Sequence, residues 1–320
     1  MLIAWSGIFY EIVFDPFEND FSDGNLRARY HTKLAFEWIN NKELSQIKVK
    51  NFSRTVYMMG HSYVALGILN IIQEKGLKSE FIPVSERIVE NILAPQIAHP
   101  VDLNNIESIK GEGIYLAHAN LSLIIHRMLS GSRKYDKLIM SITENLSRQT
   151  LNKDLFHIVP PYEFKEDAPV FPADHSATLL SLFLVDRELG LDNFKAAYSR
   201  YKNLLESSDV FGEYGLYPSG KNYKYENVPR GVGVAYQLSL TRYFDPDLGH
   251  KMFDQLRAYF LKDITGLQLL REFPKSYVGK ADLDSGPIIF EISTAANALA
   301  LSSAKFYGDK SLYADINIAG

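Results

Sequence analysis

Apolar residues recur at helical spacing along most of the chain, and the gaps between those runs are as regular as the runs. Residues 25–41 (NLRARYHTKLAFEWINN) place Leu26, Tyr30, Leu34 and Trp38 about one turn apart, which predicts a helix. Residues 45–52 alternate like a short strand or an extended link. Residues 54–74 read as a strong helix capped by Ser53, and Pro83 and Ser85 open another that runs to about Leu93. Helical spacing returns over 115–129, stops at Gly131-Ser132, and resumes from Tyr135 to about Arg148. A loop with four prolines then leads to a helix that starts at Asp174 or His175 and ends at Leu189. Gly190 stops it, and Asp192 caps the next, to about Glu206. A second long loop leads into 232–243, and Pro246 opens 247–261. The last run, 288–306, has no Gly or Pro inside it and many Ala. Ser285-Gly286-Pro287 reads as its start, so the expectation there is one buried helix.

The pattern is therefore all-α, with short connections (GSRK, LGLD, FDPD) alternating with long ones rich in Pro, Gly, Tyr and acids. Helices that follow the long connections begin at Ser53, Gly113, Asp174, Arg230 and Gly286, at intervals of 60, 61, 56 and 56 residues. Such a pitch marks an internal repeat of helical hairpins. The helices after the long connections are the more apolar. That fits an (α/α) toroid with those helices inside and the long loops gathered at one mouth. Five hairpins are clear; the N-terminal arm and C-terminal tail offer material for a sixth. On this reading residues 1–25 are an arm and 26–320 a single toroid domain.

Composition narrows the function classes. Apolar residues make up 46% of 320, enough for a large core, and a formal charge of −4 without any long basic cluster argues against nucleic acid. The absence of cysteine removes disulfides, thiolate nucleophiles and Cys-based metal sites. The apolar start lacks a basic leader and soon turns acidic, so neither a signal peptide nor a membrane span is expected, and a cytoplasmic location is the default. No spacing requires a metal or cofactor: there is no HExxH, no EF-hand loop and no P-loop, and GVGVA does not follow a strand. Nothing in the sequence fixes whether the chain forms a homo-oligomer.

Candidate chemistry falls at the five helix starts. The first offers Tyr57 and His61, four apart on one face, beside Arg54 and Tyr63. A satisfied core histidine beside a packed tyrosine explains that pair equally well. The second offers Glu112, Tyr115 and His118. The third, Asp174-His175, is the best general acid/base candidate, because a carboxylate can tune a neighbouring imidazole; an Asp cap beside a surface His is the plain alternative. The fourth is rich in tyrosine (Tyr214, Tyr217, Tyr236) and holds Arg230, available for an anionic group. The fifth holds Glu272, Asp282, Asp284 and Glu291; Asp282 and Asp284, two apart on an extended approach, share a side, and capping the helix is their bland role. One small cap per helix would satisfy structure alone. Five clusters drawn from Tyr, His and acids, each at the same point of its repeat, point to an active site.

The plan resembles the six-hairpin (α/α) toroid enzymes, which include glycoside hydrolases, polysaccharide lyases and sugar epimerases. YLAHANLSLIIHRML (115–129) is similar to the Tyr-x-x-His helix of the linalool dehydratase-isomerase family. FPADHSATLLSL stands where that family has the helix of its catalytic cysteine segment. VPRGVGVAY, REFP and DLDSGPIIFEIS together resemble a set of uncharacterised bacterial toroid proteins. The likeness runs through most of the chain from about residue 50. It implies a hydroxylated small-molecule substrate, acid/base chemistry, and His118 as a site residue. This chain departs from the linalool enzymes in having no cysteine, which leaves Asp174 and His175 in the cysteines' place.

Three functions are compatible with these residues. One is a lyase, isomerase or cyclase (a dehydratase type) acting on a hydroxylated or unsaturated small molecule, with Asp174, His175, His118, Asp282 and Asp284 as catalytic candidates. Its substrate would be lined by Tyr57, His61, Glu112, Tyr115, Tyr214, Tyr217, Arg230, Tyr236, Glu272 and Glu291, with tyrosine faces stabilising a developing cation. The second is a glycoside hydrolase, which needs two carboxylates roughly 5–10 Å apart, such as Asp174 with Asp284 or Glu112 with Asp282. The third is a non-catalytic small-molecule binder.

Overall fold

The computed structural model describes residues 36–37, 39–40, 51–75, 78–99, 101–109, 111–151, 171–206, 209–220, 227–281 and 284–319. They are mostly helical, as the pattern predicts, with two small hairpins. The arm at 1–25, residues 45–50 of the extended link expected over 45–52, and most of the first expected helix lie outside the described residues; 36–37 and 39–40 are helical, and the helix expected to start after a Ser53 cap begins at Asn51, so 51–53 are helical instead of extended or capping.

The chain runs through α1 (Asn51–Lys75), α2 (Lys78–Leu93), the short α3 (Pro95–Ala98) and a 3₁₀ turn at Ile106–Ser108. Then come α4 (Gly113–Ser130), α5 (Asp136–Leu151), α6 (Pro172–Leu189), α7 (Phe194–Glu206) and the short α8 (Asp209–Tyr214). The last third holds α9 (Gly231–Thr241), α10 (Pro246–Phe260), strands β1 (Leu261–Ile264), β2 (Leu267–Leu270), β3 (Ile288–Ile289) and β4 (Ile292–Ser293), then α11 (Thr294–Phe306) and α12 (Lys310–Ala319). From Asn51, the steps to Gly113, Pro172, Gly231 and Thr294 are 62, 59, 59 and 63 residues, so the repeat is real and more even than the sequence pattern suggests.

Each step pairs two kinds of helix. α4 is buried on every side from Gly113 to His126, as a helix with no polar stripe must be. Its successor α5 buries one face only, through Ile139, Ile142, Thr143, Asn145, Leu146 and Thr150. α9 and α10 repeat the contrast: α9 is buried from Val234 to Thr241, whereas α10 hides only the Leu248, Met252, Phe253, Leu256 and Phe260 side. Helix ends follow local chemistry. Gly131 (φ 69°) and Gly190 (φ 70°) close α4 and α6 in the left-handed conformation that glycine adopts without cost. Asp245 caps α10 by accepting the Leu248 amide at 2.9 Å.

Several expectations are corrected. α2 begins at Lys78 with Pro83 inside it; Pro83 is exposed and near the start, where it forgoes little backbone bonding. Asp192 does not cap α7. Asp186, at the end of α6, accepts the Asn193 and Phe194 amides, both at 2.6 Å. The expected helix over 288–306 starts six residues late. Residues 288–293 form the β3–β4 hairpin, with Ile288 opposite Ser293 and Ile289 opposite Ile292, turning through Phe290 (φ 51°) and Glu291 (φ 72°). Isoleucines favour a strand, Ile292 bridges Arg271, and Ser293 is a better cap than Ser285. The Ser285-Gly286-Pro287 stretch is thus a turn before a hairpin. The β1–β2 hairpin, turning through Thr265 (φ 54°) and Gly266 (φ 92°), and α12 were not foreseen.

By internal contacts the chain forms two compact units. One comprises the described residues up to 151 together with Ala177–Ala197; α4 packs there against α1, α2 and α5. The other comprises 171–176 and the described residues from Tyr198 onward, with α9 packed on α10 and α11. Among the described residues no helix is long and apolar enough to cross a membrane.

Candidate functional site

In the second unit, the first turn of α6 carries Asp174 and His175. Helix starts normally favour ionised carboxylates. Here crowding by protein atoms wins: desolvation, followed by the negative charge of Asp284, pushes Asp174 up to about 8, although the residue as a whole keeps some surface. Asp284 itself is exposed. The structure therefore brings two of the expected acids into electrostatic contact; Asp282 lies outside the described residues.

His175 is buried, its ring 5.7 Å from that of Tyr201 on α7. The Tyr201 hydroxyl donates to the Pro172 carbonyl at 3.2 Å and accepts from Gln237 Nε2 at 3.4 Å, which fixes the turn that presents Asp174. Tyr217 meets Tyr201 edge-on at 5.5 Å and stacks on Phe211 at 5.3 Å. Its hydroxyl is buried and has no hydrogen-bond partner among the described residues. Burial holds the phenols of Tyr201 and Tyr217 well above the usual range, so both stay neutral. On α9, a Cβ placed on Gly233 would stand 4.0 Å from that of Ala173, so the first turns of α6 and α9 run close together.

The expected cation for an anionic substrate is otherwise engaged. Arg230 Nε donates to Glu272 Oε1 at 2.6 Å, with both side chains buried. The Glu272 carbonyl accepts the Gly231 amide at 2.7 Å, and its other carboxylate oxygen accepts from the Val232 amide at 3.4 Å. Arg230 and Glu272 thus clamp the start of α9 to the chain after β2. Glu291 is exposed and pairs with Lys262 at 2.8 Å and with Arg271, contacts that hold its carboxyl below the usual range. Tyr236 is buried, and Tyr214 is buried edge-on against Tyr259 at 5.2 Å.

The remaining candidates belong to the other unit, and each has local structural bonds. Arg54 is buried, donates to the Ile97 carbonyl at 2.6 Å and to Glu112 at 3.3 Å, and lies over the Tyr115 ring. The Tyr115 hydroxyl donates to the Ile92 carbonyl at 3.1 Å. His61 Nε2 accepts from Asn91 at 3.0 Å, which puts its proton on Nδ1, bonded to the Tyr57 carbonyl at 2.8 Å. Ser62 donates to the Met59 carbonyl at 2.9 Å, so it accepts from His118 Nδ1 at 2.5 Å. The same device recurs eight residues along α4: Ser85 donates to the Ile82 carbonyl and meets His126 Nδ1 at 2.9 Å. Burial lowers His61 to about 4 and His118 to about 3. Both are neutral imidazoles near pH 7, without a proton to give as charged acids.

Sequence reasoning passed over Tyr201, Gln237 and Phe211. A signal existed for one: in KAAYSRYKNLL, Tyr198 and Tyr201 are three apart and share the buried side of an amphipathic helix. Among the described residues no group of three or more His, Asp or Glu is placed to hold a metal. The chain matches no protein-family model and no curated protein sequence.

Proposed function

We propose that this protein is an enzyme of the dehydratase, isomerase or cyclase type. It performs acid/base chemistry on a hydroxylated or unsaturated small molecule, with Asp174 as proton donor and Asp284 as its carboxylate partner. The observation that carries this reading is the placement of the Asp174 carboxyl, crowded by protein atoms in the first turn of α6 and facing the charge of Asp284, which together push it up to about 8. A carboxylic acid that keeps its proton at neutral pH can protonate a leaving hydroxyl or a double bond. His175, Tyr201 and Tyr217 supply buried aromatic surface nearby, whose ring faces suit a cationic transition state. The even pitch of five apolar helices, each with an amphipathic partner, supports the (α/α) toroid as the frame of this site. A cytoplasmic location belongs to the same proposal.

The test is turnover of a panel of isoprenoid alcohols and glycosides by wild type, Asp174→Asn and Asp284→Asn. Each substitution lowers turnover by ~100-fold or more without loss of folding, and wild-type activity declines as pH rises through about 8. Full activity in Asp174→Asn sinks the assignment. The two-acid arrangement also favours a second reading, glycoside hydrolysis; turnover confined to glycosides selects it. Saturable binding of a panel member without conversion selects a non-catalytic binder.

A further inference from the structure

One hydroxyl in the 284–293 segment has two partners. Ser293 Oγ accepts the Ala296 amide at 3.1 Å, capping α11, and donates to the Ser285 carbonyl at 3.1 Å. Both serines are fully buried. Gly286, between them in sequence, is left-handed (φ 64°), and a Cβ there would come within 2.9 Å of Thr294 Oγ1. The strand that carries Ser293 is itself held: Ile292 bridges Arg271, and the Glu272 amide donates to the Glu291 carbonyl at 3.0 Å. Asp284 is thus an exposed side chain on a turn whose next residue is tied to the cap of a buried helix.

We propose that Ser293 is a positioning residue for the acid pair: its bond to the Ser285 carbonyl sets where Asp284 stands relative to Asp174. The inference rests on the Asp174–Asp284 pairing of the proposed function, and not on any particular reaction. A hydroxyl suits the task because it must accept and donate at once. Threonine can do both; alanine and glycine can do neither. Among the described residues, the groups against the first turn of α6 include His175 on the same helix, Tyr201 on α7 and Asp284, and the Arg230–Glu272 pair stands at the start of α9, whose first turn runs beside that of α6. Arg230 and Glu272 offset each other, and Tyr201 is neutral. Asp284 is the charge that moves when Ser293 changes.

The experiment is a ¹³C NMR titration of the aspartate carboxyls in the full chain, with the Asp174 signal assigned by its loss in Asp174→Asn. Wild type and Ser293→Thr share one Asp174 midpoint. In Ser293→Ala and Ser293→Gly the midpoint falls by about one pH unit or more as Asp284 is released. Glycine is included because it costs a helix cap only a few tenths of a kcal/mol, so that variant folds where alanine does not. An unchanged midpoint in the folded alanine or glycine variant, or an equal fall in the threonine variant, overturns the proposal. A wild-type Asp174 that titrates in the ordinary carboxylate range overturns it together with the proposed proton donor. The expected shifts without turnover of any alcohol or glycoside remove the proposed function and leave the positioning role intact.

Discussion

Arg230 shows how a single side chain misleads when its partner is distant in sequence. At a helix start, after a tyrosine-rich loop, it reads as an anion receptor. Its partner, Glu272, lies 42 residues away, and no local pattern joins them. With both side chains buried, each charge is tolerable only because the other is present. Arg230→Ala is therefore expected to destabilise by about 3–5 kcal/mol, since it strands a buried carboxylate. Glu272→Ala should be comparably costly, and the double variant should cost clearly less than the two singles added together. Urea denaturation of the four proteins checks this; additive losses mean that the pair is not coupled. His61 and His118 carry a related lesson. Tyr-x-x-x-His and Tyr-x-x-His spacing was legible, but the serine and asparagine that bond the ring nitrogens, Ser62 and Asn91, carried no signal of their own.

Elements were legible where periodicity ran long and ended on glycine, as in α4 and α6. They were not where a short apolar run fitted both periods. Residues 288–293 contain no Gly or Pro and lead into alanines, so helix was the natural reading. What decided for a hairpin was pairing with residues 271–272, a contact that no window of sequence contains. The Thr265-Gly266 turn was a readable signal, missed because a helix was expected to continue through Leu261. Gly231 and Gly233, two apart at the start of α9, separate packing from propensity. A Cβ on Gly231 would fall 2.2 Å from the Arg271 carbonyl oxygen, an immovable backbone atom, whereas one on Gly233 meets only ordinary contact. Gly231→Ala should cost about 2 kcal/mol or more, and Gly233→Ala should be neutral or stabilising by up to about 1 kcal/mol. Thermal melts of the two variants test this; similar melting temperatures would mean that the close approach at Gly231 is not tight.

For the whole molecule, the repeat was the most legible feature, because five long helices at an even pitch leave a pattern that survives errors at individual ends. The division into two units was not legible, since two of its boundaries fall inside α6 and α7. The two units carry opposite responses to pH. His61 and His118 bind protons more weakly folded than unfolded. Their contribution is present above the ordinary histidine value near 6.5 and is lost as pH falls toward about 4 and about 3. Asp174 is the reverse: its contribution is present below the ordinary carboxylate value and is lost as pH rises through about 8. Each group sets a slope of at most about 1.4 kcal/mol per pH unit. Hydrogen exchange followed from pH 4 to 9 should show α4 losing protection first in acid and the start of α6 losing it first in alkali. Asp174→Asn should flatten the alkaline limb alone; a limb of unchanged steepness would mean that this carboxyl is not its source.

The boundary inside α6 also limits how the gene can be cut. Asp174 and His175 belong with the residues from Tyr198 onward, yet the span Ala177–Ala197 that separates them belongs to the other unit. A fragment beginning at Tyr198 discards Asp174. One beginning upstream of Pro172 keeps it, but brings along 21 residues stripped of the neighbours they fold with. No single truncation that separates the two units keeps Asp174 and Asp284 together while leaving Ala177–Ala197 with its own unit.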